Sequence, residues 1–220
     1  MKNILIIGLG QFGKKLASNL AELGNQLMAV DINEEAMTPV LPLLTAARVG
    51  DCTDAEVIHS LDIKSFDICF VCIGDRTFQA AMEITALLKE AGAATVVAKA
   101  NKDLHARLLL RIGADEVVFP DQVAAERAAV KYSSVRVFDY IELEAGFSIY
   151  EIEPLEEWVG RTLKDVQLAE QYHVNVIGMK EPTGRLTMMP AADTVLSPER
   201  HLLVLGHRDD ITRIISKFKD

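Results

Sequence analysis

Positive charge is in short supply in this chain. Its 220 residues hold 23 lysines and arginines against 32 aspartates and glutamates, a formal net charge of −9. That balance argues against a nucleic-acid partner, since phosphate backbones are held by clustered basic side chains. The charges are also mixed along the chain, which argues against a polybasic membrane patch. Long apolar runs are missing as well. The run near the start, residues 4–9, has strand length and enters a glycine loop at once, far short of a bilayer span. No cleavage site follows an apolar stretch, so a cytoplasmic protein without a secretory leader is expected.

Cysteine is sparse, and two of the three form a C-x-x-C pair, Cys69 and Cys72. Such a pair can mark a redox or zinc site. Here it sits in DICFVCIG, which reads as a buried strand. Positions three apart on a strand face opposite sides, so the sulfurs should diverge into the core as small hydrophobes. Catalytic settings are lacking too. The histidines (His59, His105, His173, His201, His207) are scattered over expected helices and late turns. There is no metal-ligand spacing, nucleophile elbow or Walker lysine motif.

What is present is a regular beat. Through the first 120 residues the apolar strands KNILIIG, QLMAVD, AARVG, DICFVCIG, TVVAKA and EVVFP alternate with helical spacing. Repeated βα units with β-branched strands imply a parallel sheet covered on both faces. The expected fold class is α/β, a doubly wound parallel Rossmann-type sheet followed by a small α+β domain. The expected boundaries are residues 1–121 for the nucleotide-binding domain, 122–143 for a helical connector and 144–220 for the second domain. In the last of these, TLKDVQLAEQY reads as one short amphipathic helix.

The first strand ends in GLGQFG, three glycines spaced G-x-G-x-x-G ahead of a helix. Gly8 permits the tight turn, Gly10 lets backbone approach a phosphate, and Gly13 lets helix and strand pack closely. Asp31 closes the second strand, where a carboxylate accepts from ribose hydroxyls and disfavours a 2′-phosphate. An adenine nucleotide (ADP or ATP) or NAD(H) is therefore expected, and NADP is disfavoured. Further strand ends bring Gly50, Asp51, Cys52 and Thr53, then Ile73, Gly74 and Asp75, to the same crevice. Lys99 closes the fifth strand as a point charge for a phosphate, and Asp121 follows the sixth. Gln11, Phe12, Ile32 and Asn33 complete the candidate contacts.

These motifs resemble a known family. ILIIGLGQFG, AVDIN, GDCTD and RIGADEVVFP, in that order, are similar to RCK (or KTN, TrkA-N) domains. The tail with VNVIGMK, MMPAADTVL and HLLVLG is similar to the TrkA-C (RCK-C) domain. Such proteins are cytoplasmic, nucleotide-sensing regulatory subunits of Trk/Ktr potassium-uptake systems. The resemblance implies dimers assembling into an octameric ring beneath a membrane potassium-translocating subunit. It places nucleotide contacts on Gly8, Gly10, Gly13, Asp31, Asp51 and Lys99, and a divalent or sodium ion near the phosphates at Asp121. It also implies a cyclic di-AMP effector site around Val166, Asn175 and Pro190. Two positions depart from the ATP-binding members: Gln11 replaces an arginine, and Asp121 a longer glutamate. The alternative reading is an NAD-dependent oxidoreductase with an atypical substrate domain.

Overall fold

The computed structural model describes residues 1–74, 77–133 and 136–217. Asp75, expected beside Gly74, lies outside them. The chain divides into two compact units, Met1–Gln122 and Val123–Asp220.

In the first unit, β1 (Asn3–Ile7), β2 (Gln26–Asp31), β3 (Ala46–Val49), β4 (Ile68–Val71), β5 (Val96–Lys99) and β6 (Glu116–Val118) form one parallel sheet. Their order is β3-β2-β1-β4-β5-β6, the doubly wound arrangement expected from the βα repeat. The connecting helices are α1 (Gln11–Glu22), α2 (Glu34–Met37), α3 (Ala55–His59), α4 (Phe78–Glu90) and α5 (Asp103–Ile112).

Both faces of the central strands are buried, which is why β1 reads as an unbroken apolar run. Leu5 and Ile7 join one core with Val71, Ile84 and Leu88, while Ile4 and Ile6 join the other with Ala17 and Ala29. The C-x-x-C pair divides the same way: Cys69 belongs to the first core and Cys72 to the second. All three cysteines are unpaired and buried. Burial pushes each thiol up to about 12, leaving them as packing groups rather than nucleophiles.

The second unit is an antiparallel sheet in the order β10-β9-β11-β8-β7. Its strands are β7 (Val137–Glu142), β8 (Phe147–Ile152), β9 (Val174–Lys180), β10 (Leu186–Met188) and β11 (His201–His207). Helices α6 (Pro120–Ser133), α7 (Leu163–Val166), α8 (Leu168–Tyr172) and α9 (Arg208–Ser216) accompany them. Tyr150, Ile152, Trp158, Leu202, Val204, Ile211 and Ile214 form its core.

The structure departs from two local expectations. Residues 137–142, expected within a helical connector, are the edge strand β7. A register shift between Val137 and Asp139 leaves Val137 and Tyr140, three apart, both buried. The bulge erases the period of two that marks a strand. The single helix expected in TLKDVQLAEQY is two short ones, broken at Gln167, which adopts a left-handed backbone (φ 51°). The first turn is held by a reciprocal cap between Thr162 and Asp165.

Candidate functional site

In an open α/β sheet the crevice lies where the chain departs to opposite sides, at the carboxyl ends of β1 and β4. A cleft of about 460 Å³ opens there, lined by Gly8, Gly10, Asp31, Ile32, Gly50–Thr53, Ile73, Gly74 and Thr77.

The three glycines have three different causes. Gly8 has φ +93°, and a Cβ there would sit 3.1 Å from the Cys72 carbonyl. A Cβ on Gly13 would come within 2.1 Å of the Gly8 carbonyl oxygen, so the absence of a side chain sets the closeness of α1 to the loop. Gly10 has an ordinary φ of −65° and nothing within 4 Å of a would-be Cβ. Its missing side chain keeps space open above the loop rather than relieving strain. Helix α1 starts there with no side-chain cap and no acidic residue in its first turn. Its N-terminal N–H groups therefore present a cradle for an anion.

Asp31 is half-buried and accepts from two main-chain amides. The Leu9 N–H donates to Oδ2 (2.5 Å) and the Asn33 N–H to Oδ1 (2.8 Å). Asp51 accepts from the Thr53 N–H (2.9 Å) and hydroxyl (2.7 Å). Those bonds, the backbone one foremost, hold its carboxyl below the usual range. The floor beside these carboxylates is apolar: Cys52 is 3% exposed, and Val30, Cys72 and Ile84 also border the cleft. A pocket with an apolar floor, two carboxylates on its wall and an uncapped helix start has the chemistry a nucleotide site needs.

Of the expected contacts, Gly8, Gly10, Asp31, Ile32, Asp51, Cys52, Thr53, Ile73 and Gly74 line this cleft. Gln11, Phe12, Gly13, Asn33, Lys99 and Asp121 do not. Gln11 is exposed at the start of α1, and Phe12 packs on the core behind it. Asn33 caps α2 by accepting from the Glu35 N–H (2.9 Å). Lys99 Nζ stands 3.8 Å from the Asp121 carboxylate. Among the described residues no group of three His, Cys, Asp or Glu side chains could hold a metal ion. Asp121 is thus not part of a cluster of such side chains.

Thr77 and Ala80 also wall the cleft, outside the contacts expected from the motifs. Thr77 heads α4, and its hydroxyl donates to the Gly74 carbonyl (3.1 Å). The available signal was a threonine opening a helix directly after a strand-end glycine.

The second unit carries a pocket of about 350 Å³ lined by Lys164, Gln167, Asn175, Val176, Pro190 and Ala192, among others. Asn175 and Pro190 are therefore brought together as expected. Val166 is not: it is 1% exposed, within the core of the second unit. Among the described residues no helix is long and apolar enough to cross a membrane.

Comparison with known proteins agrees with this division. The TrkA-N domain family model matches residues 4–120 and the TrkA-C domain model residues 147–219. Ktr system potassium uptake protein C of Bacillus subtilis is 35% identical over 212 residues, 96% of this chain and 95% of that protein. Ktr system potassium uptake protein A of Vibrio alginolyticus is 31% identical over 96% of this chain and 94% of that protein. Among solved structures, the GsuK RCK domain aligns with a TM-score of 0.68 at 18% identity, covering all of this chain and 48% of that one. At that identity the likeness is one of fold.

Proposed function

The chain belongs to the TrkA-N/TrkA-C family, and from that premise we propose that it is a nucleotide-sensing regulatory subunit of a potassium-uptake system. Its partner is a membrane potassium-translocating subunit, which it serves from the cytoplasmic face. The single observation that carries the nucleotide part is the cleft at the switch point. There an open Gly10 at the uncapped start of α1 shares one cleft with Asp31, Asp51 and apolar side chains.

In this reading the α1 amides hold the phosphates, and the Asp31 carboxylate takes the ribose hydroxyls. The ligand is an adenine nucleotide or NAD(H), with NADP opposed by the Asp31 charge. Regulation is a coupling free energy: a ligand that prefers one arrangement of the assembled subunits shifts the population towards it, without turnover. Assembly proceeds through dimers to a ring. The second-unit pocket around Asn175 and Pro190 is the place for an effector of the cyclic di-AMP class.

The test is a titration of the purified chain with ATP, ADP, NAD and NADH, followed by calorimetry and by small-angle scattering of the oligomer. Saturable binding of at least one, with a change in scattering, is expected. If none binds, the reading fails. Sustained NADH consumption with a small-molecule substrate would favour an oxidoreductase instead.

A further inference from the structure

Resting on the nucleotide reading, one residue invites a role beyond contact with ribose. Asp31 touches three of the loops that wall the cleft. Its Oδ2 accepts from Leu9, inside the glycine loop, at 2.5 Å. Its Oδ1 accepts from Asn33 in the loop after β2, at 2.8 Å. Its own carbonyl accepts from the Gly50 N–H at 3.0 Å, at the start of the loop carrying Asp51.

Leu9 is 1% exposed, so its N–H would have no water to replace a lost acceptor. With that N–H committed to Asp31, the phosphate donors of the loop are the amides that follow, beginning at Gly10. Their direction is set by where Leu9 is pinned. A charged acceptor makes this a stronger tether than a neutral one.

We propose that Asp31 is a positioning residue for the phosphate loop, and that through it ribose capture and phosphate capture are coupled. A ribose hydroxyl arriving at the carboxylate shares oxygens that already fix the loop. The ribose end of a ligand thereby tunes how well the phosphate end is held.

The probes are ADP and 2′,3′-dideoxy-ADP, which keeps the phosphates and lacks the hydroxyls, with wild type and Asp31→Ala. Alanine leaves the Leu9 N–H without its side-chain acceptor. The expected result is that the substitution weakens dideoxy-ADP about tenfold, although that ligand has no hydroxyl to offer the carboxylate. Equal affinity of wild type and variant for dideoxy-ADP, with ADP alone weakened, overturns the positioning role and leaves the nucleotide reading intact. Failure of the wild type to bind ADP overturns the coupling as tested with this ligand, and failure to bind ATP, NAD and NADH as well overturns the nucleotide reading. Amide hydrogen exchange of Leu9 in the ligand-free wild type gives a check that needs no variant. Slow exchange is expected, and an unprotected Leu9 amide overturns the tether.

Discussion

A methyl group on Gly13 would lie 2.1 Å from the carbonyl oxygen of Gly8. The third glycine of the motif is thus a packing requirement between helix and loop, and the second is something else. Gly10 has open space around it and a backbone that alanine adopts freely. Gly13→Ala should destabilise the chain by about 1–3 kcal/mol through overpacking, with a lowered thermal transition. Gly10→Ala should stay within about 1 kcal/mol of wild type, since the loss of a preferred helix-start residue is offset by a less flexible unfolded chain. Its nucleotide affinity should nevertheless fall at least tenfold, because the methyl enters the space a phosphate needs. Paired melting curves and calorimetric titrations separate the two roles. Unchanged ADP affinity in Gly10→Ala would remove the phosphate site from this loop.

The thiols make a second case. Cys52, Cys69 and Cys72 are each buried, with burial raising them to about 12. Cys69 and Cys72 are committed to cores on opposite faces of the sheet. The native protein should therefore release almost no chromophore from a disulfide reagent at pH 8, and about three equivalents once unfolded in guanidinium. A reductant should leave the thermal transition where it is. Rapid native labelling at Cys69 or Cys72 would contradict the packing described here.

How much of this was legible in the sequence depends on whether local periodicity survives folding. The C-x-x-C pair could be read because β4 is regular, so a spacing of three translates directly into opposite faces. Gly13 and Asp31 could be read because a strand, a glycine turn and a helix fix their places. The strand β7 could not, since the bulge between Val137 and Asp139 breaks its alternation. The break in the second unit's helix could not either, because Gln167 is a residue type with no marked preference for a left-handed backbone. Thr77 was visible as a helix start, but only the sheet order brings it to the same cleft as Gly8.

Asp115 offers a pH test in the first unit. Its carboxylate accepts from the Val96 N–H at 2.7 Å and pairs with Lys89 Nζ at 3.0 Å. The backbone hydrogen bond foremost, then Lys89, outweighs partial burial and holds its carboxyl below the ordinary value. A depressed folded-state pKa contributes stability that is present above the unfolded value, near 3.9, and is lost as pH falls through the folded one. Asp115→Asn should cost about 1 kcal/mol near neutrality, a figure kept small by the 43% exposure of the side chain. The gap between wild type and variant should close below about pH 4. Urea unfolding at pH 7 and pH 3 measures both ends, and a gap that widens on acidification would reverse the sign argued here.

Val166 and Asn175, which the family resemblance places with Pro190 at one effector site, have different surroundings in the structure. Val166 is 1% exposed within the second core, whereas Asn175 is exposed on β9 and borders the pocket with Pro190. Val166→Ala deletes buried methyl groups and should destabilise by about 2 kcal/mol, with any effect on ligand binding following from loosened packing. Asn175→Ala removes an exposed side chain and should leave stability within about 0.5 kcal/mol. If the pocket takes a cyclic dinucleotide, Asn175→Ala should weaken it several-fold in calorimetry at a temperature well below both melting transitions. Val166→Ala should bind nearly as wild type there. The opposite ranking, with Val166 decisive and Asn175 silent, would move the effector site away from this pocket.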